Sequence, residues 1–324
     1  MKKIFIVGGA GFIGSHLTRK ILTERDAFVT VYDNFSSGKE WHLADIDKHP
    51  LLKIVSADAK DLAILTQEMV GHDFIFHFAA NPDIAKAVYQ PSIDFWEGTY
   101  LLQNVLEAMR LNNIKRLIYP SGSGVYGDVG TQAVRESHAP MLPISTYGAS
   151  KLACENLICS YCHMFEMHAI ALRFANVVGP HQTHGVGYDF VRKLLENPKE
   201  LLILGNGKQS KSYIHVNDVV NALLLFETKS WTGYDYYNVA TEDYITVEEI
   251  ANIVSEKLAL KNVKYIFQGG ERGWKGDVPI VRFNSQKIRD LGWSNLDSSY
   301  SALANSIDSI IDDVRKGLLQ YDKL

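Results

Sequence analysis

Lys2-Lys3-Ile4-Phe5-Ile6-Val7-Gly8-Gly9-Ala10-Gly11-Phe12-Ile13-Gly14 is the stretch on which the fold turns. Lys2 to Val7 ends in four apolar residues without polar alternation, the pattern of a strand buried on both faces. Gly8, Gly11 and Gly14 follow in a G-x-x-G-x-x-G spacing, and Ile13 to Thr23 then reads as a helix. A strand that passes through glycines into a helix has a physical purpose. The turn needs a positive φ, the backbone must approach a diphosphate without a Cβ in the way, and the helix must pack close to the strand. The free N–H groups at the helix start then face an anion. A bland tight turn would use the same glycines, so the context decides.

The context is a series of apolar strands alternating with helices. Phe28 to Tyr32, Lys53 to Ser56, Phe74 to Phe78, Arg116 to Pro120 and Ala169 to Phe174 read as further strands, with helices around Asp61 to Met69 and Leu101 to Arg110. Such alternation is the signature of an α/β fold with a doubly wound parallel sheet. After Gly179-Pro180 the texture changes to helices near Asp189 to Leu195, Val247 to Leu258 and Ser299 to Val314, with short strands at Leu201 to Leu204 and Lys264 to Phe267. The reading places a Rossmann-like domain at 1–175, with returning segments near 213–240. A smaller, interleaved C-terminal lobe occupies most of 176–324.

The second strand ends in Val31-Tyr32-Asp33, 19 residues past Gly14. An acid there accepts hydrogen bonds from a ribose 2′-hydroxyl and repels a 2′-phosphate, which favours NAD over NADP. Asp33 could also be only a turn residue before Asn34. Asp58, after the third strand, suits an adenine amino group or a helix cap equally well. Tyr147 and Lys151 stand four apart, on one face if helical. An ammonium beside a phenol lowers its pKa and makes it a usable base, although the spacing alone also fits a surface pair. Pro120-Ser121-Gly122-Ser123-Gly124-Val125-Tyr126-Gly127 adds serine hydroxyls at a strand end.

In this order the motifs resemble the extended short-chain dehydrogenase/reductase family, within it the nucleotide-sugar epimerases and dehydratases. GGAGFIGSHL, VYDNFSSG, FHFAA, SGSGVYGD, YGASKLACE, LRFANVVGP, YIHVNDVV and LGW match stretches of that pattern over nearly the whole chain. The resemblance implies tightly held NAD and a smaller lobe that binds a nucleoside diphosphate sugar. It implies Tyr147 as base and Lys151 as its pKa-lowering, ribose-binding partner. It implies further cofactor contacts from Phe12, Ile13, Asn34, Ser37, Ala59, Phe78, Ala79 and Ala80, and a sugar-nucleotide contact from Asn176. A homodimer through the helices around Leu101 to Arg110 and Ser150 to Met164 is expected on the same ground, and twofold dimers are the commonest oligomers.

Several positions depart from the family pattern. The usual catalytic Ser or Thr position holds Gly122, so the role passes to Ser123, with Ser121 in reserve. Related dehydratases place Asp-Glu beside that residue and decarboxylating relatives a Glu; here the pair is Ser123-Gly124. Reductases often use NADPH, which Asp33 disfavours, and elimination leaves epimerisation, most simply at C4 through a 4-keto sugar. A 4-keto reductase or an unusual dehydratase stays open, and so does a non-catalytic dinucleotide-sensing regulator, which fold alone would allow. Gly98 stands where the family has Asn, and Leu101 where it has Gly. The diphosphate-clamping Arg appears as Lys211, which keeps the charge without the bidentate fork. The late Arg is Arg272, or is replaced by Lys275.

Composition closes off other classes. Of 324 residues, 46% are hydrophobic and 22% charged, as in ordinary globular proteins, so disorder and coiled coil are excluded. A net charge of -4 with no basic stripe argues against nucleic acid or a membrane surface as partner. Three cysteines, Cys154, Cys159 and Cys162, are too few and too clustered for a disulfide framework and suit a cytoplasmic location. Ile4 to Val7 is too short for the core of a secretion signal, so the chain is expected to begin with a strand. Cys159-Ser160-Tyr161-Cys162-His163 spells a haem-attachment pattern but reads as small residues on a helix face. His181 and His184 lack the further ligands of a metal site, so no metal is expected.

Overall fold

A computed structural model describes residues 1–319; the last five residues of the lobe read at 176–324 lie outside the described residues. Seven strands form the main sheet: β1 (Lys2–Val7), β2 (Ala27–Asp33), β3 (Leu52–Ser56), β4 (Phe74–His77), β5 (Arg116–Gly122), β6 (His168–Phe174) and β7 (Tyr234–Val239). Their order across the sheet is β3-β2-β1-β4-β5-β6-β7. The sequence of strands reverses between β1 and β4, where open α/β sheets bind ligands beyond the strands' carboxyl ends. Pairings β1–β2, β2–β3, β1–β4 and β4–β5 are parallel. The apolar run of β1 is what the sequence reading requires: Ile4, Phe5, Ile6 and Val7 are all fully buried.

Helix α1 (Phe12–Glu24) follows β1 directly, and α2 (Leu62–Glu68) starts at an Asp61 cap whose carboxylate accepts from the N–H groups of Ala63 and Ile64. A π-helical turn, Phe95–Thr99, runs into α3 (Tyr100–Leu111), and α4 (Thr146–Phe165) lies between β5 and β6 in the chain. One core gathers Phe5, Val7, Tyr32, Leu102, Val105, Leu106, Tyr119, Cys154 and Ile158 between the sheet and these helices.

The chain divides into two compact units. The first is Met1–Val125, Thr146–Arg173 and Val220–Tyr237; the second is Tyr126–Ser145, Phe174–Val219 and Asn238–Leu324. Tyr126–Ser145, kept within 1–175 by the sequence reading, groups with the second unit. The cause is local pairing: Ala133–Val134 lies parallel to Arg282–Phe283, and Tyr126 donates from its hydroxyl to Asn238 Oδ1. Within the second unit, strands are short and paired two by two, Asn176–Val178 with Tyr213–His215 and Glu200–Ile203 with Lys264–Phe267. Helices Val186–Glu196, Val247–Lys257 and Ser299–Arg315 pack on one another. Thr246 and Glu249 close a capping box at the start of the second of these.

Candidate active site

The glycine turn sits at the carboxyl end of β1. Gly8 has φ +80°, and a Cβ there would stand 2.5 Å from the Ala79 backbone nitrogen. A Cβ at Gly14 would stand 2.3 Å from the Gly8 carbonyl oxygen, so this glycine allows helix and turn to touch. Phe12 and Ile13 open α1 behind Gly11, which caps the helix with no side chain, and no acid occupies the first turn. The helix start is therefore left to an anion from outside the helix.

At the end of β2, Asp33 is 7% exposed. Its Oδ2 accepts from the Ala10 N–H at 2.9 Å and its Oδ1 from the Phe35 N–H at 2.8 Å. Burial raises its pKa, and the two N–H bonds work against the rise. Asp33 thus shapes the glycine turn as well as standing where a ribose would lie. Asn34 Nδ2 donates to Asp58 Oδ2 at 3.0 Å, and Asp58 Oδ1 accepts from the Lys60 N–H at 2.8 Å. Ser37 is exposed; Ala59 is buried and its carbonyl accepts from Asn104 Nδ2. Phe78 and Ala79 both donate their N–H to the Val7 carbonyl, which sets these two against Gly8; Ala80 follows in sequence. The cradle cleared by Gly8 and Gly14, the uncapped helix start and the buried acid fit a dinucleotide diphosphate and ribose.

Tyr147 and Lys151 lie one turn apart on α4, as the spacing requires. Lys151 is buried, donates from Nζ to the Pro120 carbonyl at 2.8 Å, and stands 4.7 Å above the Tyr119 ring and 5.7 Å above the Tyr147 ring. Burial pushes its pKa down to about 8. The expected lowering of the phenol does not occur in the protein's own environment. Burial, then the charges of Asp94 and Cys154, pushes Tyr147 up to about 12. Desolvation outweighs a single ammonium already engaged with a carbonyl.

The two serines after β5 differ. Ser121 is buried and donates to Glu155 Oε1 at 2.5 Å. Ser123 starts the short Ser123–Tyr126 turn and is partly exposed. Gly124 lies against α4: a Cβ there would stand 3.2 Å from Gly148 Cα.

Sequence reasoning missed a second layer under these groups. Glu155, one turn past Lys151, is paired with Arg173 at 2.6 Å, both almost wholly buried, and Tyr234 donates its hydroxyl to Glu155 Oε2 at 3.3 Å. Arg173 stacks 4.3 Å from the Tyr236 ring. An i, i+4 step from Lys151 was the available signal for Glu155. His77, stacked on Tyr119, is pushed down to about 3 by burial and the Lys151 charge, and stays neutral.

The remaining candidates belong to the second unit. Asn176 begins the Asn176–Val178 strand. Lys211 Nζ is bound to Asp277 Oδ1 at 2.6 Å, and Arg272 to Asp128 Oδ2 at 2.6 Å and to the Asp277 carbonyl. Neither is the bare cation that the sequence suggests. Lys275 is exposed. Among the described residues no group of three or more His, Cys, Asp or Glu could hold a metal ion, and no helix is long and apolar enough to cross a membrane.

The switch in strand order, the glycine turn and the acid after β2 define a dinucleotide-binding α/β protein. A family model described as NAD dependent epimerase/dehydratase family matches residues 4–240. A putative UDP-glucose 4-epimerase of Methanocaldococcus jannaschii is 29% identical over 90% of this chain and 92% of its own length. A crystal structure of UDP-galactose 4-epimerase superposes with a TM-score of 0.85 at 34% identity, covering 96% of this chain and 99% of that one. A dTDP-glucose 4,6-dehydratase from Streptomyces venezuelae, solved with NAD bound, superposes with a TM-score of 0.89 at 25% identity over 98% and 99% of the two chains. The protein belongs to the NAD dependent epimerase/dehydratase family, and NAD is the cofactor of that family. Its relatives include epimerases, dehydratases and a decarboxylase.

Proposed function

We propose that the protein is an epimerase of a nucleoside diphosphate sugar that inverts C4 through a 4-keto sugar. One observation carries this choice among the family's activities. The end of β5 offers hydroxyl and glycine, Ser121-Gly122-Ser123-Gly124, with no carboxylate, and the approach of Gly148 leaves little room for one at position 124. Water loss or decarboxylation needs a further acid at that place; epimerisation needs one group to take and return a single proton.

NAD, when bound, accepts and returns hydride at the sugar carbon. The chain's own part is the proton. Tyr147 takes it from the C4 hydroxyl and gives it back, and Ser123 donates a hydrogen bond to the same oxygen. Lys151, which donates to the Pro120 carbonyl and lies over the Tyr147 ring, would favour the phenolate while protonated, against the burial that raises the phenol and lowers the ammonium. Gly8, Gly11, Phe12, Ile13, Gly14, Asp33, Asn34, Ser37, Asp58, Ala59, Phe78, Ala79 and Ala80 make the cofactor's seat. Asn176, Lys211 and Arg272 serve the nucleotide sugar. Lys211 and Arg272 carry Asp277 and Asp128 as partners, so on this reading the nucleotide sugar would meet charges of both signs.

Purified protein mixed with a panel of nucleotide sugars should convert at least one into its C4 epimer, approached from both directions to the same ratio by NMR. A net reduced or dehydrated product, or no conversion of any sugar by NAD-loaded protein, would remove the proposal.

We also propose a cytoplasmic homodimer formed through α3 and α4. Phe95 and Trp96, at the entrance to α3, are about half exposed, and Leu111 and Met164 at the helix ends are 54% and 71% exposed. Light scattering at micromolar protein should give twice the 36.4 kDa chain mass, and a monomer mass would reject the interface.

A further inference from the structure

Asp94 lies just before the π-helical turn and is 2% exposed. Its carboxylate is fully engaged: Oδ1 accepts from Asn81 Nδ2 at 2.9 Å, and Oδ2 accepts from the Thr146 hydroxyl at 2.7 Å. Thr146 is the first residue of α4 and the neighbour of Tyr147. The Asp94 backbone is tied to the same helix one turn on, where the Ser150 hydroxyl donates to its carbonyl at 2.7 Å. Thr99 stands 2.9 Å from that hydroxyl. Gly98 makes room for it: a Cβ at position 98 would stand 2.4 Å from Ser150 Oγ. Two ties therefore join one short segment to the first turn of α4, on either side of Tyr147. A carboxylate at the start of a helix also meets the positive end of its dipole.

We infer that Asp94 is a positioning residue for Tyr147: by holding Thr146 it fixes the first turn of α4 and, with it, the place of the phenol. The inference rests on the reading of Tyr147 as the proton-handling group, but the geometry stands without it. The ionisable groups that bear on the phenol come from three elements: Asp94, Lys151 and Cys154 on α4, and Tyr119 on β5. Among them Asp94 is the carboxylate, and its charge adds to the rise of the phenol pKa. A misplacement of about 1 Å in a reacting group can cost on the order of 10²-fold in rate.

The test pairs activity with a direct view of the phenol. Thr146→Val removes the hydroxyl from an exposed position and should not disturb folding. Asp94→Ala removes the acceptor. Each should lower kcat by about tenfold to 10²-fold, with KM changed less than about twofold. The combined variant should be no worse than the poorer single one, and Thr146→Ser should restore the rate. The Tyr147 resonance, observed with tyrosine labelled at Cζ and assigned by its loss in Tyr147→Phe, should move in Thr146→Val and return in Thr146→Ser. A merely structural tie would lower the melting temperature and leave that resonance in place. If Thr146→Val keeps kcat within about twofold and an unmoved resonance, the positioning role is refuted, whether or not Asp94→Ala folds. If Tyr147→Phe retains turnover, the base assignment fails while the resonance still decides the positioning.

Discussion

Tyr147→Phe is expected to lower turnover by on the order of 10²–10⁴-fold, the usual cost of losing a general base. The substitution keeps the ring under Lys151 and removes only the phenolic oxygen. NAD content should be unchanged, since the glycine turn and Asp33 are untouched. Ser123→Ala should cost less, because it removes one polarising hydrogen bond and leaves the base. Ser121→Ala should behave differently again. Ser121 donates to the buried Glu155, so its loss should appear as about 1.5–3 kcal/mol of stability, with the rate little altered. Steady-state kinetics and urea titration of the three variants give the pattern. Turnover by Tyr147→Phe within threefold of wild type would end the mechanism. A larger rate loss in Ser121→Ala than in Ser123→Ala would move the hydroxyl back two residues, to Ser121.

The second large effect is on stability. Glu155→Ala should lower the free energy of unfolding by about 3–5 kcal/mol, because it removes the carboxylate paired with the Arg173 guanidinium, 1% exposed. Replacing both residues by apolar ones of similar size, Glu155→Leu with Arg173→Met, should be less harmful than either single change, since no charge is then left buried. Urea titration of the singles and the double is the measurement. A double variant whose loss equals the sum of the singles would mean that the pair is not the source of the effect.

Much of this architecture is legible in the chain because it is written in short-range periodicity. The buried run Ile4 to Val7, the glycines spaced by three and the helix behind them need no distant partner to be recognised. Asp33 is found by counting from Gly14, and Tyr147 with Lys151 by counting around a helix. What the sequence does not reveal depends on distant neighbours. Asp94 meets Thr146 across 52 positions, and Glu155 meets Ser121 across 34. The direction of the phenol pKa is hidden for the same reason: the spacing shows the lysine, but desolvation comes from the fold around it. Two-residue strands such as Ala133–Val134 and Ser210–Lys211 are too short for any alternation to mark them. That is also why Tyr126–Ser145 reads as part of the first domain.

The chain passes between its two units five times, after Val125, Ser145, Arg173, Val219 and Tyr237. Neither unit is a continuous segment, so no single cut in the gene yields either one whole. A recombination event with one breakpoint cannot graft the second unit of a relative onto the first unit of this protein. New ligand preferences in such a lineage are therefore reached more simply by substitution in place than by the exchange of a whole unit.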